Sequence, residues 1–348
     1  MLSSTAIKTR SAAFGFDLCG VSRAERYPKL ARLAEWYASG QAGEMRYLAD
    51  TRGERADPRV VLPTARSVVS LGVLYNTAQP HSASLTEPDR VAVARCAWGT
   101  DYHEVVRARL RELLTWMSRE AGPDLEAMTC VDDGPVQERV FAEQAGLGWI
   151  GKNTCLINPE IGSWLFLAEI LTNVDLEPDA PGVDQCGRCT RCLDACPTGA
   201  IVEPYRVDAT RCLSYHTIEV RDDVDERWRA AIRTQVFGCD ICQDVCPWNN
   251  RAPVSGDPAW QPRPGLEFPR LIHLCRLSDE AWRALLKASA MRRAGLARIR
   301  RSLGYAAAAR PAAEATDALD ALASHSSASD PRVAGAIAWA RGRLTSVR

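Results

Sequence analysis

Residues 186–197 read C-G-R-C-T-R-C-L-D-A-C-P, so four cysteines fall at C-x2-C-x2-C-x3-C before a proline. Gaps of two residues leave no room for a strand or a full helical turn between thiols. The backbone must curl so that Cys186, Cys189 and Cys192 face one point, while the next turn carries Cys196 elsewhere. Cys239, Cys242 and Cys246-Pro247 repeat the spacing with its first member missing, and Cys212 can fill that place from a distance. These eight belong to a total of 13 cysteines. The start of the chain, MLSSTAIKTRSAAFGF, has no apolar signal segment, so export is not expected. An odd cysteine count without export reads as metal or redox chemistry, not as a disulfide framework.

The spacing is that of bacterial ferredoxins with two clusters, in which the last cysteine of each run serves the other cluster. It predicts one 4Fe–4S cluster on Cys186, Cys189, Cys192 and Cys246, and a second on Cys196, Cys212, Cys239 and Cys242. The alternative is zinc held by C-x2-C pairs. A closed tetrahedral site gives no reason for the x3 gaps or the Cys-Pro endings. Cys19, Cys96, Cys130, Cys155 and Cys275 are expected as small buried hydrophobes. Two clusters make a wire, and a wire needs a terminus. Most of the 348 residues remain to hold it.

The expected class is α+β, in three parts. Residues 1–178 mix β-rich stretches, SVVSLGVLY (67–75) and WLFLAEIL (164–171), with helical patterns. The clearest helix runs from Tyr102 to Arg119, with Leu110, Leu113, Leu114 and Met117 on one face. EPDAPGVDQ (177–185) reads as a linker into the cysteine-rich part, 179–250. Residues 251–348 are Pro-rich, then helical, with breaks at Pro311 and at 324–332. One such repeat cannot bury its own apolar face, so it should pack on what precedes it. The net charge of zero is a cancellation: residues 1–250 carry −8 and residues 251–348 carry +8. No apolar run is long enough to span a membrane.

Glycines crowd residues 130–172, where they permit close approach to a ligand. Gly146, Gly148 and Gly151 form a partial G-x-G-x-x-G, without the acidic partner of a dinucleotide site. Five stretches together, DYHEVVRARL, VDDGPVQERVFAEQAGLGWIGKNTCLINPEIGSWLFLAEI, CGRCTRCLDACPTGAI, RCLSYHTIE and GCDICQDVCPWN, resemble the epoxyqueuosine reductase family from about residue 10 to 305. The resemblance implies a nitroreductase-like cobalamin-binding domain, a ferredoxin-like domain and a HEAT-like helical end. It implies reduction of epoxyqueuosine to queuosine at the wobble position of tRNA. Electrons would pass through the clusters to a base-off cobalamin over the substrate. Asp132 matches the aspartate of the family's V-D-T/S motif, here Val131-Asp132-Asp133, and is the expected general acid. Asp133 need not share the pocket, since neighbours in an extended strand point to opposite sides; if it does share it, like-charge repulsion would raise one pKa and favour a protonated donor near neutrality. Arg55, Arg139, Gly151, Lys152, Asn153, Ser163 and Ser214 are the expected cofactor-pocket residues. His103, in D-Y-H, is expected to be structural and not a cobalt ligand.

A tRNA partner needs cationic contacts to phosphate. Arg283, Lys287, Arg292, Arg293, Arg298, Arg300 and Arg301 are the expected supply, with Trp248 and Trp282 as base-stacking platforms. A cytoplasmic enzyme with an unidentified low-potential electron donor is expected, with no membrane association. A reductive dehalogenase, a plain electron carrier and an RNA-binding module stapled by clusters are the competing readings. A corrin spectrum and the substrate turned over separate them.

Overall fold

The computed structural model describes residues 2–346. Four strands, β1 (Leu18–Arg23), β2 (Ser67–Leu74), β3 (Ala127–Cys130) and β4 (Leu165–Thr172), form an antiparallel sheet in the order β1-β2-β4-β3. All eight residues of β2 are buried, as its unbroken SVVSLGVL run requires of a strand covered on both faces. The two β-rich stretches read from the sequence are β2 and β4.

Among its helices, six bear on the site and the C-terminal core: α1 (Ser4–Ala13), α2 (Tyr102–Ala121), α3 (Glu138–Gln144), α4 (Gly295–Ala307), α5 (Ala312–Ala323) and α6 (Pro331–Ser346). α2 begins where the Asp101 carboxylate accepts from the His103 N–H at 3.1 Å and ends at Gly122, φ 88°. Val106, Leu110, Leu113 and Met117 of α2 pack with Val69, Leu71 and Val73 of β2. Each contributes roughly 1.5–3 kcal/mol by burial.

The opposite face of the sheet is covered by α3, whose Val140 and Phe141 meet Val68, Cys130 and Leu171. A Cβ on Gly20 would lie 2.0 Å from the Ala145 carbonyl, so only glycine lets the end of α3 sit this close to β1. The register sets Gly20, Ser70, Glu169 and Cys130 in one row across this face. A carboxylate therefore lies at the centre of a buried sheet.

The cores do not follow the expected boundaries. Val91, Ala92, Val93 and Trp98 share one core with α4, α5 and α6, and Ala92–Val93 pairs in parallel with Gln235–Phe237. The 177–185 stretch has no regular structure but is pinned to the sheet edge. The Asp179 carboxylate accepts from the Val21 N–H at 2.8 Å, and the Gly182 N–H donates to the Glu143 carbonyl at 2.8 Å. The C-terminal helices do pack on what precedes them. Among the described residues, no helix is long and apolar enough to cross a membrane.

Part of the basic segment is internal. Arg300 and Arg301 are fully buried. The Arg301 guanidinium donates to the carbonyls of His216 (2.6 Å) and Val220 (3.0 Å), and Arg300 pairs with Asp279 and donates to the Leu277 carbonyl. Arg298 donates to the Ile218 carbonyl at 2.7 Å. Arg298 and Arg301 staple α4 to the segment after Cys212, and Arg300 ties it to residues 277–279. Trp282 is buried, its indole N–H donating to the Leu274 carbonyl, so it is no stacking platform. Arg301→Ala leaves three carbonyls without their cation. It is expected to cost about 3 kcal/mol in urea unfolding; a loss under about 1 kcal/mol would mean that the carbonyls are satisfied without it.

Candidate active site

Thiols from each expected set approach one another. The Cys192 thiol faces Cys246 and Cys186. Cys239 faces Cys212 and Cys196, and Cys242 faces Cys239 and Cys212. Burial first, then the neighbouring sulfurs, pushes Cys192 up to about 11 and Cys239 higher. Cys242 also rises well above the usual thiol range, through its contact with Cys155 first and burial second. Eight thiolates so crowded fit two cationic iron–sulfur cores, because only such a core relieves their mutual repulsion.

The Lys152–Asn153 turn clasps both cluster loops. Lys152 Nζ donates to the carbonyls of Gly187 (2.7 Å) and Cys189 (3.0 Å), and Asn153 Nδ2 donates to the Cys242 carbonyl (3.3 Å). Beside them, Gly151 is buried with no room for a side chain: a Cβ would meet Ile157 at 2.4 Å. Ser163 is also buried, its hydroxyl donating to Gln243 at 3.0 Å and accepting from Asn249 at 2.9 Å. The Ser214 N–H faces the Cys212 sulfur. These residues thus touch the cluster loops. Trp248 packs edge-on against Trp149, whose indole N–H points at Cys186 Sγ at 3.4 Å, so it too belongs to the cluster surround.

Asp132 sits at the apex of a three-residue turn closed by the Asp133 N–H donating to the Val131 carbonyl at 2.7 Å. Its φ is 58°, a conformation that costs a non-glycine residue roughly 1–3 kcal/mol and persists only where neighbours enforce it. Three neighbours do. Tyr102 Oη donates to Asp132 Oδ2 at 2.5 Å, His103 Nε2 lies 3.8 Å from the same oxygen, and the Asp132 N–H donates to Glu138 Oε1 at 2.5 Å. The buried Asp101 holds His103 Nδ1 at 2.7 Å, which turns the other ring nitrogen to Asp132. Asp133 turns away to Arg107, but through this tight turn and not through an extended strand. The expectation that His103 is only structural gives way to a place at the site.

Arg55 donates to Thr51 Oγ1 (2.8 Å) and the Val136 carbonyl (3.3 Å), and Arg139 donates to the Thr154 carbonyl (2.7 Å). Both lie within electrostatic reach of Glu138. Cys96 is close enough to feel both Asp132 and Asp240, the residue after the ligand Cys239. Asp132 and the loop of Cys239 thus lie within electrostatic reach of one thiol. Arg293 and Tyr47 lie within reach of Asp132 as well, Arg293 held by Glu219 at 2.8 Å.

Known proteins share this arrangement. Residues 55–133 match the family described as epoxyqueuosine reductase QueG, DUF1730, and residues 185–249 match a 4Fe-4S double cluster binding domain. Epoxyqueuosine reductase of Synechococcus sp. (strain CC9605) is 46% identical over 297 residues, 83% of this chain and 90% of that protein. The Pseudomonas aeruginosa enzyme is 41% identical over 85% of this chain and 82% of its own length. The chain belongs to the epoxyqueuosine reductase family. A crystal structure of a family member with an epoxyqueuosine-modified tRNA-Tyr stem loop superposes with a TM-score of 0.85 at 31% identity, over 98% of this chain and 89% of that one. The Bacillus subtilis member, solved with its catalytic aspartate loop swung out of the active site, gives 0.86 at 30% identity over 98% and 90%.

The site contacts of Tyr102, Glu138 and Glu169 escaped the sequence reading, and Cys155 was expected as a small buried hydrophobe. A lone glutamate in the apolar run WLFLAEIL was the available signal for Glu169. Cys155 lies against Cys242, in the cluster surround and not in an ordinary apolar core. Cys212→Ala is expected to cut iron after anaerobic reconstitution from about eight to about four per chain. Cys155→Ala is expected to keep about eight; the reverse result would reassign the second cluster's ligands.

Proposed function

We propose that this chain reduces epoxyqueuosine to queuosine at the wobble position of tRNA anticodons. Two 4Fe–4S clusters supply electrons and Asp132 supplies the proton. The observation that carries this reading is the hold on Asp132 by Tyr102 and His103, with Cys96 in electrostatic reach of both Asp132 and Asp240, the neighbour of Cys239. The fit to cobalamin rests on that nearness of a held carboxyl to the thiolate loops. When bound, base-off cobalamin would supply a strongly nucleophilic reduced cobalt.

The chain's own residues then do the following. Arg139, Arg55 and Asn153 flank the cofactor. Lys152, Ser163 and Ser214, with Gly151 giving the clearance, hold the cluster loops against it. Tyr102 fixes the direction of the Asp132 carboxyl, and His103 supports it from the same side. Asp132 gives its proton to the epoxide oxygen as the ring opens. The stem loop found with a family member supports an anticodon arm as the partner. The exposed Arg283, Lys287 and Arg292 are the side chains free to meet its phosphates. On this reading residues 1–178 bind cobalamin and act as the catalytic part, 179–250 form the ferredoxin-like part, and 251–348 form a HEAT-like basic end. A tRNA substrate places the work in the cytoplasm, with electrons from a low-potential donor.

The test is anaerobic incubation of reconstituted protein with cobalamin, a chemical reductant and tRNA carrying epoxyqueuosine, with nucleoside analysis for queuosine. Formation of queuosine is expected; recovery of the intact epoxide defeats the reading. Asp132→Asn is expected to keep the corrin spectrum and the tRNA affinity while turnover falls about 10²- to 10⁴-fold. Normal turnover would remove Asp132 from the acid role. Arg292→Ala is expected to weaken tRNA binding and lower its salt slope by about 1, whereas Arg301→Ala, in protein that still folds, leaves the slope unchanged.

A further inference from the structure

Carrying an epoxide to an alkene breaks two C–O bonds, forms one C=C bond, takes up two electrons and two protons, and releases water. The first proton goes to the oxygen as the ring opens. The second turns the resulting hydroxyl into departing water. Asp132 carries one proton at a time, so it must be recharged within the turnover.

Behind Asp132 lies a pair of carboxyl groups with no part in the chemistry so far, Glu138 half-buried and Glu169 fully buried. Glu138 opens α3 and accepts the Asp132 N–H, which brings its carboxyl within one residue's reach of the Asp132 carboxyl. Glu169 is 0% exposed on the central strand β4. Neither of its oxygens meets a donor in hydrogen-bonding geometry. Its polar neighbours are Glu138 and the Ser70 hydroxyl, itself without a partner. A buried carboxyl group without a cation is tolerable only when it keeps its proton.

We propose that Glu138, backed by Glu169, is the proton store that recharges Asp132 between the two protonations of one turnover. The inference rests on the epoxide reduction proposed above. The proton leaves Glu138 for the Asp132 carboxylate, and Glu138 is recharged from Glu169 or solvent before the next cycle. Glu138 acts through Asp132 and does not touch the substrate. Burial, then the Asp132 charge, raises Glu138 to about 8, against the opposing pull of Arg139 and Arg55. Burial, then Glu138, raises Glu169 further. Cys130 of β3 and Tyr102 of α2 are the other titratable groups facing Glu138, and both are held neutral by burial. Below about pH 8 Glu138 is therefore protonated and the store is full; above it the store empties.

The experiment uses the reconstituted holoenzyme and epoxyqueuosine-tRNA, with a parallel titration on cofactor-free protein. Glu138→Gln keeps an oxygen for the Asp132 N–H but holds no transferable proton. Its kcat is expected to fall about 10²-fold with KM for tRNA unchanged, and the fall in kcat above about pH 8 should disappear. In cofactor-free protein, the infrared band of a protonated carboxyl that titrates near pH 8 should vanish with the same substitution. Glu138→Asp should restore much of kcat and the alkaline limb. Glu138→Gln at wild-type kcat with its alkaline limb intact overturns the proposal. So does a slow Glu138→Ala beside a normal Glu138→Gln, which would make the side chain a latch for the turn only. Wild-type protein that leaves the epoxide intact defeats the function reading, and this one with it, while a deficit confined to Glu138→Gln speaks for the store alone.

Discussion

Repulsion among eight thiolates is the constraint on which the rest of this molecule depends. Each quartet draws on both cysteine runs, with Cys246 crossing to the first set and Cys196 to the second. A cationic core at either centre therefore ties residues 186–196 to residues 239–246. Without the cores, burial and neighbouring sulfurs raise the Cys192 and Cys239 thiols, while at Cys196 burial is outweighed by N–H donors, which lower it. Cluster loading is thus folding free energy for this region. The effect reaches the sheet through the Lys152–Asn153 clasp and through the Ser163–Asn249–Gln243 network. The turn that carries the acid lies on the same sheet, at the end of β3.

On the proposed reading, electrons and protons come from different elements of the fold. The thiolate quartets lie on loops after the sheet. The carboxyl groups lie on the sheet itself and at the head of α3. The separation has an electrostatic reason. Reducing a cluster adds negative charge, and a carboxyl beside it would then hold its proton more tightly. Asp240, the acid nearest the second quartet, is enclosed and accepts the Arg95 N–H at 2.6 Å. Asp132 instead stands open to its space, with 55% of its side chain exposed. An acid that must give up its proton to a substrate is better placed there.

Local chemistry was legible in the sequence and long-range assembly was not. The double-cluster domain could be read because thiol spacing over two or three residues leaves few backbone paths. β2 and α2 could be read because an unbroken apolar run and a repeat near 3.6 are local patterns. The surroundings of Asp132 come from four separate segments: Tyr102 and His103 on α2, Glu138 on α3, Glu169 on β4 and Arg55 near residue 52. No spacing rule links them. Lys152 and Asn153, expected in the cofactor pocket, make their nearest polar contacts with the cluster loops instead.

Charge counting failed in an instructive way. The +8 of residues 251–348 looked like a field for phosphate. An arginine serves equally well as an internal staple, since its five N–H groups can satisfy several carbonyls where a chain end or loop leaves them bare. Arg301 does so for the segment after Cys212, and Arg300 does so beside Asp279. Both are spent inside. Arg293 is committed to Glu219 and Tyr47. The field left for RNA comes from Arg283, Lys287 and Arg292, close to the Asp101–His103 corner of the active site, where Arg292 stands 3.9 Å from Asp101. A short cationic patch beside the acid suits a loop whose modified base must enter the site. A long basic face would instead grip duplex wherever it met it.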